Sequence, residues 1–513
     1  MWVPGESIAG GDERGIPHAP DRADSQETPR FAPQDRHMSA ATITPAHHGA
    51  AAGQAPARRP VGVPRTPQWW RDLAGTFTWL TMLFVVALWV RNGGIQEFRS
   101  LAGGLSTLGR VTGMVSAQLL LIQVLLMARI PMVERSYGQD ELARRHRLVG
   151  LWSFNLMWAH LVLIWLGYAA SSGAGLWGTI VDLVLNYPGM LLALAGMVAL
   201  CMVVVTSFRA SRAALRYESW HLLHLYAYLG VGLALPHQLW TGQDFVGNLA
   251  ATAFWWTLWG AAIVCTLTWR VGLPIWRTTR HRLVVERVYS EGPGVTSVVV
   301  SGRDLDRIPV GAGQFFQWRF LGNPGASRAH PYSLSAAPDG RSLRITAAHL
   351  GDGSAALANL KPGSRVMIEG PYGRLHGGVR RRRKVLLIAS GIGVTPMRAL
   401  LEELPQGPGD ITLVYRAREQ TDLIFTNELL ALARARGARV FTVMGRRTTR
   451  RPSWLPESAA HLSDVDALRH LVPDLADHDV YVCGNPQWMD RVEEAALAGG
   501  VPEANIHVER FVY

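Results

Sequence analysis

Six long stretches without Asp, Glu, Lys or Arg dominate the first half of this 513-residue chain. Each is long enough for a helix to cross a hydrocarbon layer of about 30 Å, which takes roughly 20 residues. The alternative, a large soluble protein, would need six uncharged buried helices in succession. The sequence therefore predicts a bilayer-embedded protein with six spans, at residues 73–90, 111–128, 148–181, 183–208, 219–243 and 245–269.

Arginines are distributed unequally between the two ends of these spans. Fifteen lie on one side and three on the other, and basic residues accumulate in cytoplasmic loops. We therefore expect both termini, and everything after residue 280, to be cytoplasmic, in an integral protein of the plasma membrane. The fifteen are Arg58, Arg59, Arg65, Arg71, Arg129, Arg135, Arg144, Arg145, Arg147, Arg209, Arg212, Arg216, Arg270, Arg277 and Arg280, and the three are Arg91, Arg99 and Arg110.

Composition divides the chain into four regions, so we expect a multidomain protein. Residues 1–72 are rich in Ala, Pro, Gly, Arg and His without apolar periodicity, which predicts a disordered tail. Residues 73–280 are the six-helix transmembrane bundle. Short β-branched runs between Gly and Pro turns predict an antiparallel β-barrel over 281–378. Alternating strands and helices predict an α/β domain with a parallel sheet over 379–513.

Charge and cysteine content exclude several classes of protein. The net charge is +12, but no region is basic enough for a nucleic-acid-binding protein. The three cysteines are far apart and form no CxxC. This excludes a disulfide scaffold, a cysteine-based zinc site and a four-cysteine iron–sulfur cluster. Any redox chemistry must therefore use other cofactors.

Four histidines inside the predicted spans form two matched pairs. His146 and His160 lie in the third span region, and His224 and His237 lie in the fifth. Along a helix each pair is separated by about 20 Å, and both spans run in the same direction. His146 is therefore level with His224, and His160 with His237. One imidazole from each helix at each level is what six-coordinate haem needs, so we predict two haem b groups.

Other residues of the same region leave alternatives open. A single intramembrane histidine is more often a hydrogen-bonded packing residue than a ligand, and His221 is a spare candidate. His237 reaches the interior face only if Pro236 bends or unwinds the helix. The arginines near His146 either neutralise haem propionates or merely follow the general charge distribution; they are Arg144, Arg145 and Arg147.

The predicted barrel contains a candidate flavin site in the segment His330-Pro331-Tyr332-Ser333. A flavin needs an aromatic ring against its isoalloxazine face, which Tyr332 offers. It also needs a hydrogen-bonding group near N5, which Ser333 offers. Taken alone, the segment is equally compatible with an ordinary turn that leads into a strand.

Two glycine-containing segments follow this candidate flavin site. Gly351–Ser354 precedes a helix start, where free backbone N–H groups suit a pyrophosphate, so Gly353 and Ser354 are candidate contacts. The second segment is Glu-Gly-Pro-Tyr-Gly, at Glu369–Gly373.

A nucleotide-binding turn is predicted directly after the strand KVLLIAS. The turn reads Gly391-Ile-Gly393-Val-Thr395-Pro396. Thr395 is the expected N-cap and Pro396 the first helical residue, so N–H donors are exposed at a helix N-terminus. The alternative is a structural turn between strand and helix.

A second segment of this domain, Cys483-Gly484-Asn485-Pro486, follows a later strand, at the carboxyl edge where α/β sheets bind ligands. Cys483 is either a small buried hydrophobe or a neighbour of the cofactor, since Gly484 allows close approach.

Arginines after two strands bear on the choice of nucleotide. Arg416 and Arg418 end the strand that begins at Ile411, and a 2′-phosphate requires a guanidinium. Glu419 would suit the ribose of NADH, but Arg446 and Arg447 follow the next strand. The sequence thus favours NADPH, with NADH as the alternative. We predict that Arg416 contacts the 2′-phosphate of NADPH; the alternative is that Arg416 is a solvated surface charge.

These motifs together resemble the ferric reductase and NADPH oxidase superfamily over about residues 74–513. The family has a haem-binding six-helix domain, a flavin barrel with an HPFT or RxYS signature, and a nicotinamide domain with GxGxxP and Cys-Gly-Pro. Here the flavin signature reads HPYS, and Asn485 follows Cys-Gly. Relatives cover the flavin with a terminal aromatic residue, which Tyr513 matches better than Phe511.

The resemblance implies a relay from cytoplasmic NAD(P)H through FAD and two haems to a small-molecule acceptor across the membrane, such as ferric iron or dioxygen. Ser333, Cys483 and Tyr513 would act where the hydride is transferred. Two other interpretations remain open: a membrane-anchored flavin reductase without haem, and a transporter regulated by nucleotide binding. Nothing in the sequence identifies a protein partner.

Overall fold

The computed structural model describes residues 63, 69–215, 217–323, 328–405 and 407–510. The helices of its first half are α1 (Trp69–Arg91), α2 (Leu101–Met127), α3 (Pro131–Tyr137), α4 (Gln139–Ser172), α5 (Gly175–Asn186), α6 (Met190–Ser207), α7 (Arg209–Ala214), α8 (Tyr217–Leu233), α9 (Leu235–Trp240), α10 (Leu249–Cys265) and α11 (Leu273–His281). A π-helical segment, Thr266–Gly272, joins α10 to α11 in one continuous rod. Among the described residues, five helices are long and apolar enough to span a membrane: α1, α2, α4, α6 and this rod.

The fifth predicted span is divided between two helices. α8 ends at Leu233 and α9 begins at Leu235, with Pro236 in its first turn. The proline ring supplies no N–H and cannot continue the preceding helix, so the predicted interruption is present. Because α8 has 17 residues and is shorter than the other spans, the six-span count stays a prediction.

Glycines bring neighbouring helices of the bundle close together. A Cβ on Gly196 of α6 would lie 2.6 Å from the Gly230 carbonyl oxygen of α8. A Cβ on Gly150 of α4 would lie 2.6 Å from Gln123 Nε2 of α2. Small residues of this kind let helix backbones approach each other in lipid. The two close pairs, α2–α4 and α6–α8, include both helices that carry the inner histidines.

The start of α1 differs from the predicted domain boundary at residue 73. The helix begins at Trp69, so the last four residues assigned to the disordered tail are helical. Arg71 and Asp72 are tolerated there because they occupy the first turn, at the end of the span. The rest of the predicted tail, apart from residue 63, lies outside the described residues.

Two antiparallel sheets follow the bundle, and we call residues 284–372 the antiparallel module. Its strands are β1 (Val284–Gly292), β2 (Val295–Ser301), β3 (Phe315–Phe320), β4 (His330–Ser333), β5 (Ser342–Ala348) and β6 (Val366–Tyr372), with a short helix α12 (Asp352–Ala355). The strand orders are β1-β2-β5 and β4-β3-β6. Single bridges, Leu334 to Ile345 and Val284 to Arg365, connect the sheet edges. The inward side chains, including Phe316 and Trp318, form one buried core.

A five-stranded parallel sheet completes the described chain, and we call residues 384–508 the parallel-sheet module. Its strands are β7 (Lys384–Ser390), β8 (Ile411–Ala417), β9 (Arg439–Met444), β10 (His478–Cys483) and β11 (Ile506–Val508), and its helices are α13 (Val394–Glu403), α14 (Thr426–Arg436), α15 (Asp464–Leu471) and α16 (Pro486–Ala498). The order β11-β10-β7-β8-β9 is parallel throughout. β8 is buried along its whole length, as expected when helices cover both faces of a parallel sheet. The predicted alternation of strands and helices is confirmed.

Candidate functional site

The inner histidine pair lies between α4 and α8. The ring centroids of His146 and His224 are 6.1 Å apart, and their planes are inclined by 56°. Nδ1 of His146 is 3.3 Å from the Gln123 carbonyl oxygen of α2. Nδ1 of His224 is 3.3 Å from the Ser207 hydroxyl at the end of α6. Both rings are thus oriented through Nδ1, which leaves Nε2 for another ligand, the arrangement typical of metal-binding histidines.

The outer pair joins α4 to the short helix α9. Nδ1 of His160 is 2.7 Å from the Gly109 carbonyl oxygen of α2, and a Cβ on Gly113 would overlap the His160 ring. His237 is close enough to His160 to interact with it electrostatically. Nδ1 of His237 is buried and has no hydrogen-bond partner within the described part of the chain. The structure therefore brings together the two histidines that the sequence paired.

Arg270 lies beside the inner pair and was not among the predicted site residues. It belongs to the π-helical segment, donates a hydrogen bond from NH1 to the Met127 carbonyl oxygen at 3.1 Å, and interacts electrostatically with His146 and His224. No ion pair among the described residues involves Arg270. π-helical turns occur often at functional sites. The sequence signal was a single arginine directly after an uncharged span.

Of the three arginines near His146, two are engaged elsewhere, whereas Arg147 interacts electrostatically with His146. Arg144 and Arg145 form ion pairs with Glu141, at 2.5 and 2.7 Å. Their role as partners of haem propionates is therefore less well supported than a role for Arg270. The spare histidine, His221, lies within electrostatic range of Glu369 in the antiparallel module.

The candidate flavin residues occupy strand β4. Ser333 is buried and is the register partner of Phe315 on β3. The rings of His330 and Tyr332 are stacked, with centroids 5.9 Å apart and planes inclined by 18°. Trp318 Nε1 donates a hydrogen bond to the Tyr332 carbonyl oxygen at 3.0 Å. β4 is thereby fixed to β3, so the Tyr332 and Ser333 positions are well defined.

The loop predicted to bind pyrophosphate lies against this strand. A Cβ on Gly353 would overlap the His330 ring. The Ser354 hydroxyl accepts hydrogen bonds from the N–H groups of Leu350 and Gly351, at 2.9 and 3.2 Å. The helix that follows, α12, has four residues, so the loop is closed by its own serine. The pyrophosphate role of Gly353 and Ser354 stays a prediction.

The glycine turn after β7 differs in detail from the prediction. Gly391 has a φ of +54°, a conformation that glycine adopts without steric cost. α13 begins at Val394, so Thr395 and Pro396 are its second and third residues. The Thr395 hydroxyl donates to the Ile392 carbonyl oxygen at 3.0 Å. The N-cap assignment of Thr395 is therefore wrong, because a 3₁₀ turn runs directly into the helix and the proline still fits its first turn.

The two predicted nucleotide segments meet at the carboxyl edge of the parallel sheet. A Cβ on Gly393 would overlap the Cys483 carbonyl oxygen, and one on Gly484 would lie 2.9 Å from Ser390 Cβ. Cys483 is buried, and burial raises the pKa of its thiol to about 12, so the thiol is neutral. Asn485, which departs from the family's proline, caps α16 by accepting a hydrogen bond from the N–H two residues later, at 3.1 Å.

Arg416 does not lie where a 2′-phosphate contact was expected. It belongs to β8 rather than following it, its side chain is buried, and NH1 donates to the carbonyl oxygens of Ala417 and Val443. Burial lowers the pKa of its guanidinium. The assignment of an exposed contact to Arg416 is thus contradicted, because the strand extends one residue beyond it. The other three arginines considered for nucleotide choice, Arg418, Arg446 and Arg447, are exposed.

Tyr513, the predicted flavin-covering residue, lies outside the described residues, as does Phe511. The last described residues nevertheless reach the antiparallel module. Glu509 is buried and accepts a hydrogen bond from the Arg374 N–H at 2.9 Å. Burial raises the pKa of this carboxyl to about 8. No motif in the sequence points to Glu509, because its importance depends on contacts with residues distant in the chain.

Two family models match this chain. The ferric reductase like transmembrane component matches residues 112–235, which include His146, His160 and His224. The oxidoreductase NAD-binding domain matches residues 387–494, which include the glycine turn and Cys483. Together the two matches reproduce the domain architecture of the ferric reductase and NADPH oxidase superfamily.

Individual relatives match less than half of this chain. Ferredoxin–NADP reductase B of Sorangium cellulosum is 32% identical over 198 residues, which are 37% of this chain and 80% of the relative. The ferredoxin reductase component of 3-ketosteroid-9-alpha-monooxygenase from Mycolicibacterium smegmatis is 31% identical over 238 residues, 44% of this chain and 63% of the relative. The chain thus spans less than two thirds of the latter protein.

Among solved structures, the flavohem-like FAD/NAD binding domain of nitric oxide dioxygenase from Vibrio cholerae is similar to this chain, with 27% identity and a TM-score of 0.36. The match covers 45% of this chain and 98% of that domain. The two family models and the ferredoxin–NADP reductase relative show that the chain combines a ferric-reductase-like membrane domain with a ferredoxin-reductase-type FAD/NAD module. This is the architecture of an NAD(P)H-linked oxidoreductase.

Proposed function

We propose that this protein moves electrons from cytoplasmic NAD(P)H, through FAD and two b-type haems, to an acceptor on the other side of the membrane, either ferric iron or dioxygen. The observation that carries the proposal is the close approach of His146 and His224 in a chain that also has a ferredoxin-reductase-type module. The two partners proposed in this scheme are the lipid bilayer and the small-molecule acceptor.

The inner histidine pair fits a six-coordinate haem. With metal–nitrogen bonds of about 2 Å on both faces, two axial imidazole rings have centroids about 6 Å apart, and the observed separation is 6.1 Å. Hydrogen bonds at Nδ1 keep both rings oriented. Arg270 supplies a positive charge for a propionate group, which supports the same assignment.

The environment of the outer pair supports a second haem. The imidazole of His237 is buried, and the backbone of Ala234 is the one hydrogen-bond partner that the described residues offer it, so its other ring nitrogen is available to a ligand. Gly113 leaves the His160 ring the space that a Cβ would remove. Bound haem with imidazoles on both faces would carry single electrons rather than activate a ligand directly.

The antiparallel module is the proposed FAD site. The bridges at both sheet edges support a closed barrel, in which Tyr332 and Ser333 would hold the isoalloxazine ring of the flavin. Gly353 and Ser354 would contact the pyrophosphate, since their loop lies against His330. FAD, when bound, links the two-electron chemistry of the nucleotide to single-electron carriers.

The carboxyl edge of the parallel sheet is the proposed nucleotide site. Gly391–Pro396 and Cys483–Pro486 meet there, where open α/β sheets bind ligands. Arg418, Arg446 and Arg447 are exposed beyond β8 and β9, and no ion pair in the described part of the chain involves them. This supports NADPH, whose 2′-phosphate suits a guanidinium, with NADH as the alternative.

We further propose six spans, with α8 counted as the fifth, and a cytoplasmic location for both termini in the plasma membrane. Support comes from the distribution of arginines. Arg129, Arg135 and Arg277 line one cavity between the bundle and the antiparallel module, so the basic end of the bundle is the end that meets this module.

A reduced-minus-oxidised absorption spectrum of the purified protein, recorded with and without NADPH, tests the proposal. We expect b-type haem bands that appear on addition of NADPH. Flavin bleaching without haem bands would instead indicate a membrane-anchored flavin reductase. Neither signal, in a protein that binds nucleotide, would indicate a regulated transporter.

A further inference from the structure

We call the last four residues of β6 and Gly373, where the chain leaves that strand, the Glu369–Gly373 turn. It has no role in the proposed cofactor sites, yet β6 forms the main contact between the antiparallel module and the membrane helices. The turn faces the segment that follows α2. Arg129, Glu134, Glu369 and Tyr372 all line the same cavity there. Glu134, on α3, is buried and accepts a hydrogen bond from the Gly373 N–H.

Arg129 is the residue of this junction whose backbone is unusual. Its φ is +63°, in the left-handed region that a residue with a Cβ adopts only at a cost. Such conformations persist where surrounding contacts determine them, and they cluster at functional positions. Arg129 lies just after the end of α2, and its side chain is only 11% exposed.

The Arg129 guanidinium joins three elements. It lies over the Tyr372 ring, with Cζ 4.3 Å from the centroid, and Nε is 3.5 Å from Glu369 Oε1. NH1 donates to Gln139 Oε1 at the start of α4. Glu369 also accepts a hydrogen bond from the Tyr372 hydroxyl at 2.9 Å and is 3.9 Å from Arg319. The Arg129 and Glu369 side chains are both largely buried, so removing either one would leave the charge of the other buried and unpaired. This cost favours the single arrangement in which the two side chains and the Tyr372 ring are in contact.

A short structural path connects Arg129 to both cofactor sites. On the membrane side, Gln123 lies six residues earlier on α2 and orients His146. On the other side, Tyr372 packs against Phe315, with ring centroids 5.8 Å apart. Phe315 is the register partner of both Tyr372 and Ser333. A shift at Arg129 would therefore alter the distance between the flavin strand and the inner histidines.

We propose that Arg129 is a positioning residue, which clamps the Glu369–Gly373 turn to the end of α2 and so holds the flavin-binding strands at a fixed distance from the inner histidine pair. The proposal rests on the proposed function. It follows that electron transfer out of the flavin depends on this clamp, because its rate falls steeply with distance. Reduction of the flavin by NADPH depends on the proposed nucleotide site in the parallel-sheet module, whereas the contacts of Arg129 described above are with Glu369, Tyr372 and Gln139, so its rate should not depend on this clamp.

Stopped-flow reduction of the holoprotein by NADPH tests the clamp in Arg129→Gln, Glu369→Gln and the double variant. We expect each single variant to slow haem reduction at least tenfold while flavin reduction stays within twofold of wild type. The double variant should be no slower than either single variant, since both remove one interaction. Additive losses would show that the two residues act separately and would overturn the proposal.

The matched control is Arg280→Gln, which removes the ion pair from Arg280 to Asp304 at 2.5 Å. This pair also joins the bundle to the antiparallel module, but both side chains are 38% exposed, and exposed pairs contribute little. We expect its haem reduction rate to stay within twofold of wild type. If haem reduction in Arg280→Gln were as slow as in Arg129→Gln, the loss of any charge at the junction would be enough to slow it. That result would contradict a specific role for Arg129.

Hydrogen exchange without NADPH gives a readout that does not need haem. In Arg129→Gln, α3 and the Glu369–Gly373 turn should exchange at least tenfold faster, with wild-type FAD and haem contents. The proposal would be overturned if hydrogen exchange were unchanged in Arg129→Gln. It would also be overturned if the variant lost FAD and haem in proportion to its slower haem reduction. If wild-type protein lacks haem bands, the proposed function fails, whereas the exchange result still decides whether Arg129 holds the turn.

Discussion

Gly113 leaves no space beside the His160 ring for even one methyl group. Gly113→Ala should therefore displace a proposed outer ligand without removing any coordinating atom. We expect the variant to lose at least half of the outer haem and to keep the inner haem, because His146 and His224 lie at the other level of the bundle. The haem-to-protein ratio, measured by pyridine haemochrome absorption, should fall from about two towards one.

Gly260→Ala provides the control for this substitution. Gly260 also lies in a membrane helix, but a Cβ added there would meet no atom within 4 Å. Alanine favours a helix more than glycine does, so this variant should retain full haem content. Equal haem loss in both variants would mean that His160 does not depend on the space beside Gly113.

The relative positions of single residues can be predicted where spacing along one helix decides them. His146 and His224 do lie together, since apolar spans fix helix direction and the rise per residue fixes depth, and their role as haem ligands stays a prediction. Arg416 was not predictable, because one additional residue in β8 moves its side chain from solvent into the protein. The proximity of Arg270 to the inner histidines was not predictable either, because it depends on how the helices pack.

The loop after β9 is the element on which nucleotide choice should depend. Arg446 and Arg447 are exposed there, whereas Arg450 and Arg451 form ion pairs with Glu457 and Asp464. Replacing Arg446 and Arg447 with alanine should raise the KM for NADPH about tenfold or more, the cost of a charge-assisted contact of at least about 1.5 kcal/mol. The KM for NADH should not change.

Arg416→Ala separates this prediction from the one made on sequence alone. Because its guanidinium is buried and donates to main-chain oxygens, its loss should lower the unfolding temperature and affect both nucleotides equally. Steady-state kinetics with NADPH and NADH distinguish the two cases. A selective loss of NADPH affinity in Arg416→Ala, with normal behaviour of the Arg446 and Arg447 variant, would restore the original assignment.

Whole elements were predicted more reliably than their ends. The apolar runs that became β7, β8 and β10 needed no tertiary information, because continuous hydrophobic strands between helices are typical of a parallel sheet. The break before α9 followed from Pro236 alone. The start of α13 did not, since Thr395 is a good N-cap residue in general, but the preceding turn already has helical geometry.

The arrangement of the whole molecule is the part that the sequence left open. Composition separates the bundle from the two modules, but nothing local indicates that α3 would face the Glu369–Gly373 turn. Glu134 and Gly373 are far apart in the chain, and their contact depends on how the folded parts pack. Burial of Glu134 in this packing raises the pKa of its carboxyl from 4.5 to about 7, so the junction should respond to pH.

The direction of that response follows from linkage. Glu134 holds its proton more tightly in the folded protein than in the unfolded chain, so its contribution to stability is complete below about pH 4.5 and is lost as the pH rises through about 7. Glu134→Gln is neutral at every pH and keeps an acceptor for the Gly373 N–H. It should match wild type near pH 5 and gain up to about 3 kcal/mol of relative stability near pH 8.

Thermal unfolding followed by tryptophan fluorescence measures this difference in stability. The control is Glu494→Gln, because the Glu494 side chain is 58% exposed. Parallel pH curves for wild type and Glu134→Gln would show that the carboxyl is ionised in the folded protein, and that Arg129 and Arg135 outweigh its burial.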